Sequence, residues 1–216
     1  MNKLFLQQIQ IAEPFQLLSR EERKLFGEGL PSGSLRRMSS LGVMICYLLK
    51  KMNLNDVQQV VYASRHGETN ALEGYMDSFP HPSPAKFQTS IHPSSVQQVF
   101  IALQQPVPYF LPLAGSTHSI LKALQVSLTL QQSPLLILGE EPGSWLVDLG
   151  MAYPRGALCM MALSTDESGA IAELEWSAEE TAYFSPDLFE WINLLQKREH
   201  LQLSAPELGT LSMIWL

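Results

Sequence analysis

The part of the sequence that most constrains the fold joins an extended apolar run, a turn of small residues and an apolar helix. Residues 106–113 contain three prolines, which remove backbone N–H donors and restrict the run to an edge strand or a strand with few pairs. Residues 114–119 predict a turn, and residues 120–128 predict a buried helix. Strand, turn and helix in succession are typical of α/β proteins. In many α/β enzymes this junction carries the nucleophile, because the helix N-terminus stabilises a developing anion.

Composition limits the classes of function. The 216 residues are 46% hydrophobic and 16% charged, enough to bury one core, so we expect residues 1–216 to form a single domain. The formal net charge of −7 disfavours nucleic acid as a partner. No run approaches the roughly 20 apolar residues of a membrane span. Cys46 and Cys159 lie in apolar runs without metal-ligand or disulfide spacing. We therefore expect no metal, no cofactor and a cytoplasmic location.

Two polar features of the first third leave alternatives open. Apolar residues recur at helical spacing through residues 35–51, with Arg36 and Arg37 at the start of the predicted helix. Cations oppose the helix dipole there, so the pair either binds an anion or is ordinary surface charge. After a β-rich run over residues 57–63, His66 and Glu68 occupy a glycine-containing turn. They are either an acid/base pair or hydrogen-bonding residues of the turn.

The second half of the sequence predicts mainly structural elements. Residues 133–141 form an apolar strand, and residues 157–163 are expected to form a hairpin with the alternating run 171–176. A helix follows, with Ser185 as its N-cap and Pro186 at its first position. Its predicted buried face consists of Leu188, Trp191, Ile192 and Leu195. The apolar C-terminus, residues 211–216, predicts a final strand.

Several segments together resemble one family. Residues 83–87, Ile91-His92, the helical pattern from Ser94 and the run 106–113 with its turn are similar in order and spacing to the N-terminal half of β-ketoacyl synthases. Residues 64–68 and 35–39 more closely resemble short, stand-alone proteins of that group. These are the chain-length-factor-like proteins of aryl polyene pigment pathways.

The resemblance implies an α/β, truncated thiolase-like fold, the N-terminal half of a ketosynthase, with a mixed sheet flanked by helices. It also implies a non-catalytic subunit that pairs with a full-length β-ketoacyl synthase and shapes its acyl tunnel. The pathway would be polyene, type II polyketide or fatty-acid-like biosynthesis, with an acyl carrier protein reaching the subunit through the complex. An active ketosynthase has a cysteine at the turn before the buried helix, whereas this chain has Gly115, Ser116 and Thr117. None of these supplies the thiolate that attacks a thioester.

Six residues are candidates for the tunnel or the interface. They are Met76, Phe79, Phe87, Tyr109, Phe110 and Leu111. For the first three, core packing is the alternative interpretation. The alternative function is a stand-alone acyltransferase or hydrolase using Ser116 or Thr117, with His118 as a base. The local sequence lacks the second glycine of a nucleophile elbow, and residues two apart at a helix entry do not face each other.

Overall fold

One mixed sheet runs through the molecule, and helices cover both of its faces. The computed structural model describes residues 3–53, 57–115, 117–130, 133–179 and 182–216. The elements of these residues are β1 Lys3–Phe15, α1 Arg20–Phe26, α2 Ser32–Arg37, α3 Ser40–Leu49, β2 Gln59–Ser64, α4 Thr69–Met76, α5 Pro84–Ser90, α6 Ser94–Ala102, β3 Tyr109–Ala114, α7 Ser119–Leu130, β4 Pro134–Glu140, α8 Trp145–Asp148, β5 Gly156–Ser164, β6 Ala172–Ser177, α9 Leu188–Lys197, β7 Leu201–Ala205 and β8 Gly209–Trp215.

The strand order of the sheet is β3-β2-β4-β5-β1-β6-β8-β7. Strands β3, β2 and β4 are parallel, as expected where helices connect successive strands. Strand β5 runs antiparallel to both β4 and β1, and β6, β8 and β7 extend the sheet in antiparallel order. The chain therefore has a mixed sheet flanked by helices, as the sequence predicts.

Two hydrophobic cores lie on opposite faces of the sheet because side chains alternate along each strand. On one face, α7 and α9 pack on residues such as Leu136 and Leu138 of β4. On the other face, α3 and α6 pack on residues such as Leu135 and Ile137 of the same strand. The predicted buried face of α9 is confirmed, with Trp191 fully buried. Among the described residues, no helix has the length and apolar character needed to cross a bilayer.

The single helix predicted over residues 35–51 is wrong, because the chain forms two helices there. Helix α2 ends at Arg37, and Ser39 caps α3 by accepting a hydrogen bond from the Gly42 N–H at 3.0 Å. Arg36 and Arg37 consequently lie in the last turn of α2, where the helix dipole favours cations. The electrostatic misfit expected from the sequence does not exist.

Two further predictions are also corrected. Strands β5 and β6 do not form a hairpin, because β1 lies between them: Leu6 faces Leu163 on one side and Ala172 on the other. Helix α9 is capped by Asp187 rather than by Ser185. The Asp187 carboxylate accepts from the Glu190 N–H at 2.9 Å, and the Glu190 side chain accepts from the Asp187 N–H. The final strand is confirmed as β8.

Candidate functional site

The edge strand β3 presents one side of its backbone to the surface. It pairs with β2 over its whole length and stands at the end of the sheet. The predicted edge position of this proline-containing run is therefore confirmed. Tyr109 is 59% exposed, whereas Phe110 and Leu111 are partly buried against the cores on opposite faces. An edge strand of this kind is a template for pairing with another chain.

An apolar groove lies beside this edge, between α6 and the residues that lead into β3. Its volume is about 620 Å³. Phe100, Ile101, Val107 and Phe110 contribute most of its apolar lining, and Ile101 is 75% exposed. Phe110 belongs both to the edge strand and to the lining of the groove, so we treat the open edge and the groove together as one surface, which we call the β3 surface. A contiguous apolar patch on a protein exterior commonly marks an interaction site.

The sequence between β3 and α7 contains no thiol. Gly115 adopts a φ of +74°, a conformation that favours glycine, and Thr117 is exposed. Ser116 lies outside the described residues. The His118 ring is directed to the C-terminal segment, where Nδ1 lies 3.0 Å from the Ser185 hydroxyl and the ring packs edge-on against Tyr183. His118 therefore contacts the segment before α9.

Both cysteines lie far from this turn in the fold. Cys46 is buried in α3 and Cys159 is buried in the middle of β5, on opposite faces of the sheet. Burial raises the pKa of both thiols, and most strongly that of Cys159. Because a thiol is nucleophilic only as a thiolate, both side chains are inert hydrophobic groups in the core.

The tunnel candidates Met76, Phe79 and Phe87 are not core residues. Their exposed fractions are 44%, 57% and 49%, so the interpretation as core packing is wrong. The Phe79 and Phe87 rings both contact Tyr75, each with a centroid separation of 5.4 Å. The structure thus brings two of the three together in a surface cluster formed by α4, α5 and the segment between them. These helices pack against each other, and in addition α4 packs against α8 and α5 packs against α6.

His66 and Glu68 do not form an acid/base pair. The His66 ring packs edge-on against Tyr153, while the Glu68 carboxylate lies 3.0 Å from Nδ1 of His92. Glu68 is buried, and its second oxygen accepts from the Ser95 N–H. His92 also stacks on Tyr62, at a centroid separation of 4.7 Å. The turn assignment is the better one, with Glu68 joining the loop after β2 to the start of α6.

Three other buried glutamates accept hydrogen bonds near the C-terminal ends of β2 and β4. Glu140 accepts from the Ser64 hydroxyl at 3.0 Å and from the backbone N–H groups of Arg65 and His66. Burial raises the pKa of Glu140 to about 7, although these donors oppose the shift. Glu141 accepts from the first N–H groups of α4, and burial, with the nearby charge of Glu68, raises its pKa to about 7.

Glu73 completes the set by holding α8. Its carboxylate accepts from the backbone N–H of Ser144 at 2.8 Å, from the Ser144 hydroxyl at 2.8 Å and from the Leu146 N–H at 3.0 Å. Periodicity analysis missed this network. One signal was present: Glu140 is the last residue of a buried strand and Glu141 directly follows it, at the sheet end where polar groups meet. Within the described ranges, no group of three His, Cys, Asp or Glu side chains is arranged to hold a metal ion.

No family model and no curated protein sequence matches this chain. Solved structures do match it. One is a chain of the complex between the ketosynthase ApeO and its chain length factor ApeC from Xenorhabdus doucetiae. That chain is 20% identical, with a TM-score of 0.66 over 98% of this chain and 99% of that one. This chain has a ketosynthase-like fold. It is the truncated, thiolase-like form that the sequence predicts.

Two further structures support the fold. The ishigamide ketosynthase/chain length factor has a TM-score of 0.60 at 12% identity, over 82% of this chain and 68% of that one. A β-ketoacyl synthase from Burkholderia phymatum has a TM-score of 0.53 at 12% identity, over 91% of this chain and 69% of that one. The match covers almost all of both chains in the Xenorhabdus comparison, so the two chains are similar in length.

Proposed function

We propose that this chain is a non-catalytic, chain-length-factor-like subunit that pairs with a full-length β-ketoacyl synthase. The observation that carries the proposal is a ketosynthase-like fold without a cysteine at its nucleophile turn. Residues 114–117 contain no thiol, and burial raises the pKa of Cys46 and Cys159 elsewhere in the fold. Such a chain has the shape of a condensing enzyme without the group that attacks a thioester.

The β3 surface is the proposed contact with the synthase. An open strand edge gains hydrogen bonds when a second strand pairs with it, and the neighbouring groove offers apolar area to bury. Tyr109 and Ile101 are the most exposed large side chains of this surface and are its proposed anchors. Two of the similar structures contain a ketosynthase together with a chain length factor, which supports a partner of this class.

The proposed mechanism is steric. In a complex, the partner synthase performs the condensation, and bulky side chains of this subunit limit the growing acyl chain. Met76, Phe79 and Phe87 are the candidates, since all three are exposed and a partner can cover them and use them as a wall. We place this activity in the cytoplasm, in polyene, polyketide or fatty-acid-like biosynthesis, with a carrier protein delivering the acyl groups to the complex.

Co-expression with a full-length β-ketoacyl synthase tests the pairing. We expect the two chains to co-purify through affinity and size-exclusion steps, and intact-mass spectrometry with an acyl thioester to show the adduct on the synthase only. An adduct on this chain that Ser116→Ala or Thr117→Ala removes would instead establish the acyltransferase or hydrolase. Failure to co-purify with any tested condensing enzyme would contradict the proposal.

The tunnel assignment has its own test. Met76→Ala and Phe79→Ala should each lengthen the product of the reconstituted pair, because removing a bulky side chain extends the cavity. Leu25→Ala, an exposed apolar residue on α1, is the control and should leave product length unchanged. Identical product distributions from both variants and the control would remove the assignment while leaving the pairing intact.

A further inference from the structure

Three cationic side chains converge on one cleft of this acidic protein. Arg36 and Arg37, in the last turn of α2, and Lys86, in the first turn of α5, line a cleft of about 350 Å³ closed by α4 and α6. A second hollow of about 230 Å³ continues it and shares Arg37, Gln88 and Gln98. The result is a concave surface lined by positive charge and side-chain amides.

No ion pair among the described residues involves the cations of the cleft, although the buried Glu141 carboxylate accepts hydrogen bonds from the backbone of Asn70 and Ala71, which line the cleft. No Asp or Glu lines either hollow, although the chain has 21 acidic and 14 basic residues. In the described part of the chain, the ion pairs join Lys3 to Glu173 and His92 to Glu68, and neither involves the cleft. The helix dipole accounts for two of the cations, because the arginines lie at a C-terminus. It disfavours the third, since Lys86 lies near the N-terminus of α5.

The backbone beneath the arginines is held rigidly. The Arg23 guanidinium donates to the carbonyl oxygens of Leu35, at 2.9 Å, and of Met38. Arg36 and Arg37 therefore lie between two residues whose backbone is held by hydrogen bonds. The Ser39 and Ser95 hydroxyls, 2.8 Å apart, join this segment to α6. A second observation comes from Gln98: its buried amide oxygen has no hydrogen-bond partner among the described residues. Rotation of the amide by 180° would present an NH₂ donor at that position.

We propose that this cleft binds a phosphate ester. Guanidinium groups match the oxygens of a phosphate in a two-pronged geometry, Lys86 adds a point charge, and the amides of Gln88 and Gln98 provide neutral donors. A concave cleft of this volume favours a small anionic group over an extended acidic protein surface. The proposal concerns a site separate from the β3 surface and does not depend on the synthase partner.

Calorimetric titration of the full chain with inorganic pyrophosphate at low ionic strength tests the site. Arg37→Gln is the most informative variant, because Arg37 lines both hollows, and Lys86→Gln is the second. Each should weaken binding by about tenfold, the size of a lost charge-assisted hydrogen bond. Arg20→Gln, which removes an exposed arginine of α1 outside the cleft, should bind like the unaltered chain. All three positions are exposed, so circular dichroism should show unchanged folding.

Two small esters then define the ligand. Glycerol 3-phosphate presents a phosphomonoester and dimethyl phosphate presents a phosphodiester, and binding of either one that Arg37→Gln weakens supports the site and identifies its class. Absence of pyrophosphate binding would overturn the proposal. So would equal affinity in Arg37→Gln and the unaltered chain, or an equal loss in Arg20→Gln, which would indicate non-specific charge attraction. Binding of pyrophosphate but of neither ester would overturn the assignment to esters.

Discussion

The two edges of the sheet are finished in opposite ways. At one end, β7 is covered: Phe184, in the segment before α9, exchanges two backbone hydrogen bonds with Ser204, of 2.9 and 3.0 Å. At the other end, none of the described residues pairs with the outer side of β3, and Tyr109 and the apolar groove lie beside it. Along β7 itself, Gln202 is exposed and the other four residues are buried, so this edge of the sheet offers little surface to a second chain.

This difference separates stability from recognition. The C-terminal segment, with α9 and strands β6 to β8, completes one core and closes its own edge, so it contributes chiefly to folding. The β3 side leaves apolar groups at the surface, which costs solubility unless a partner covers them. Natural proteins usually blunt an exposed edge, and Pro112 removes only one donor from β3. The contrast leads to three predictions.

The largest effect is expected on the closed side. Trp191→Ala should lower the free energy of unfolding by about 3–5 kcal/mol, because a fully buried indole of α9 leaves a cavity in the core. Urea denaturation measures the change. Trp145→Ala, which alters a Trp of α8 that is 37% exposed, is the matched control and should cost clearly less. Equal losses from both variants would mean that the C-terminal segment does not complete the core.

A charge on the open side should change association instead. Ile101→Asp places a carboxylate on the β3 surface and should weaken the complex with the synthase by about 2 kcal/mol, or about 30-fold. Its free energy of unfolding should change by less than about 0.5 kcal/mol, since the side chain is 75% exposed. Leu25→Asp, at a residue 67% exposed on α1, is the control. Surface plasmon resonance measures both, and equal affinities would locate the interface elsewhere.

Local patterns predicted the open edge better than the closed one. Pro112 removes an N–H donor from β3 itself, and Pro106 and Pro108 directly precede the strand, so the local sequence already indicates an edge or a sparsely paired strand. The cover of β7 depends on contacts between distant segments, and so does the position of β1 between β5 and β6. A hairpin is the default for two strands close in sequence, and only long-range pairing of the N-terminal strand rules it out here.

The short helix α5 was missed for a local reason. Helix α5 has only seven residues, too few for a periodic pattern, although Ser83 and Pro84 are a typical helix start. The features of the candidate site also divide into those that the local sequence shows and those that depend on tertiary packing. The missing thiol is read directly from residues 114–117, whereas the His92–Glu68 pair and the cationic cleft join residues from separate elements. Their assembly depends on tertiary packing, which one sequence does not display.

The third prediction concerns the dependence of stability on pH, which is smallest when expressed per pH unit and per carboxyl. It also distinguishes the β2 and β4 side of the sheet from the C-terminal side. Buried glutamates occur at the β2 and β4 ends, while β6, β7, β8 and α9 bury no Asp or Glu among their described residues. Burial raises the pKa of Glu140 and Glu141 in the folded chain to about 7, from 4.5. The folded state therefore binds protons more tightly than the unfolded state between these values. It follows that the free energy of unfolding should fall as pH rises from about 4.5 to about 7, by at most about 1.4 kcal/mol per pH unit for each carboxyl.

Urea denaturation across that range, with Glu140→Gln as the test variant, measures the slope. An amide at this position cannot titrate, so the free energy of unfolding should depend less on pH. This weaker dependence is expected even if the variant is less stable at every pH. Such a loss would arise because the amide replaces an oxygen that accepts from backbone N–H groups. Glu21→Gln, at an exposed carboxylate of α1, should leave the slope unchanged. A stability that rises with pH over this window, or a slope that Glu140→Gln does not alter, would show that these carboxylates are ionised in the folded chain. The half of the molecule with the open edge would then be held by charge rather than by neutral hydrogen bonds.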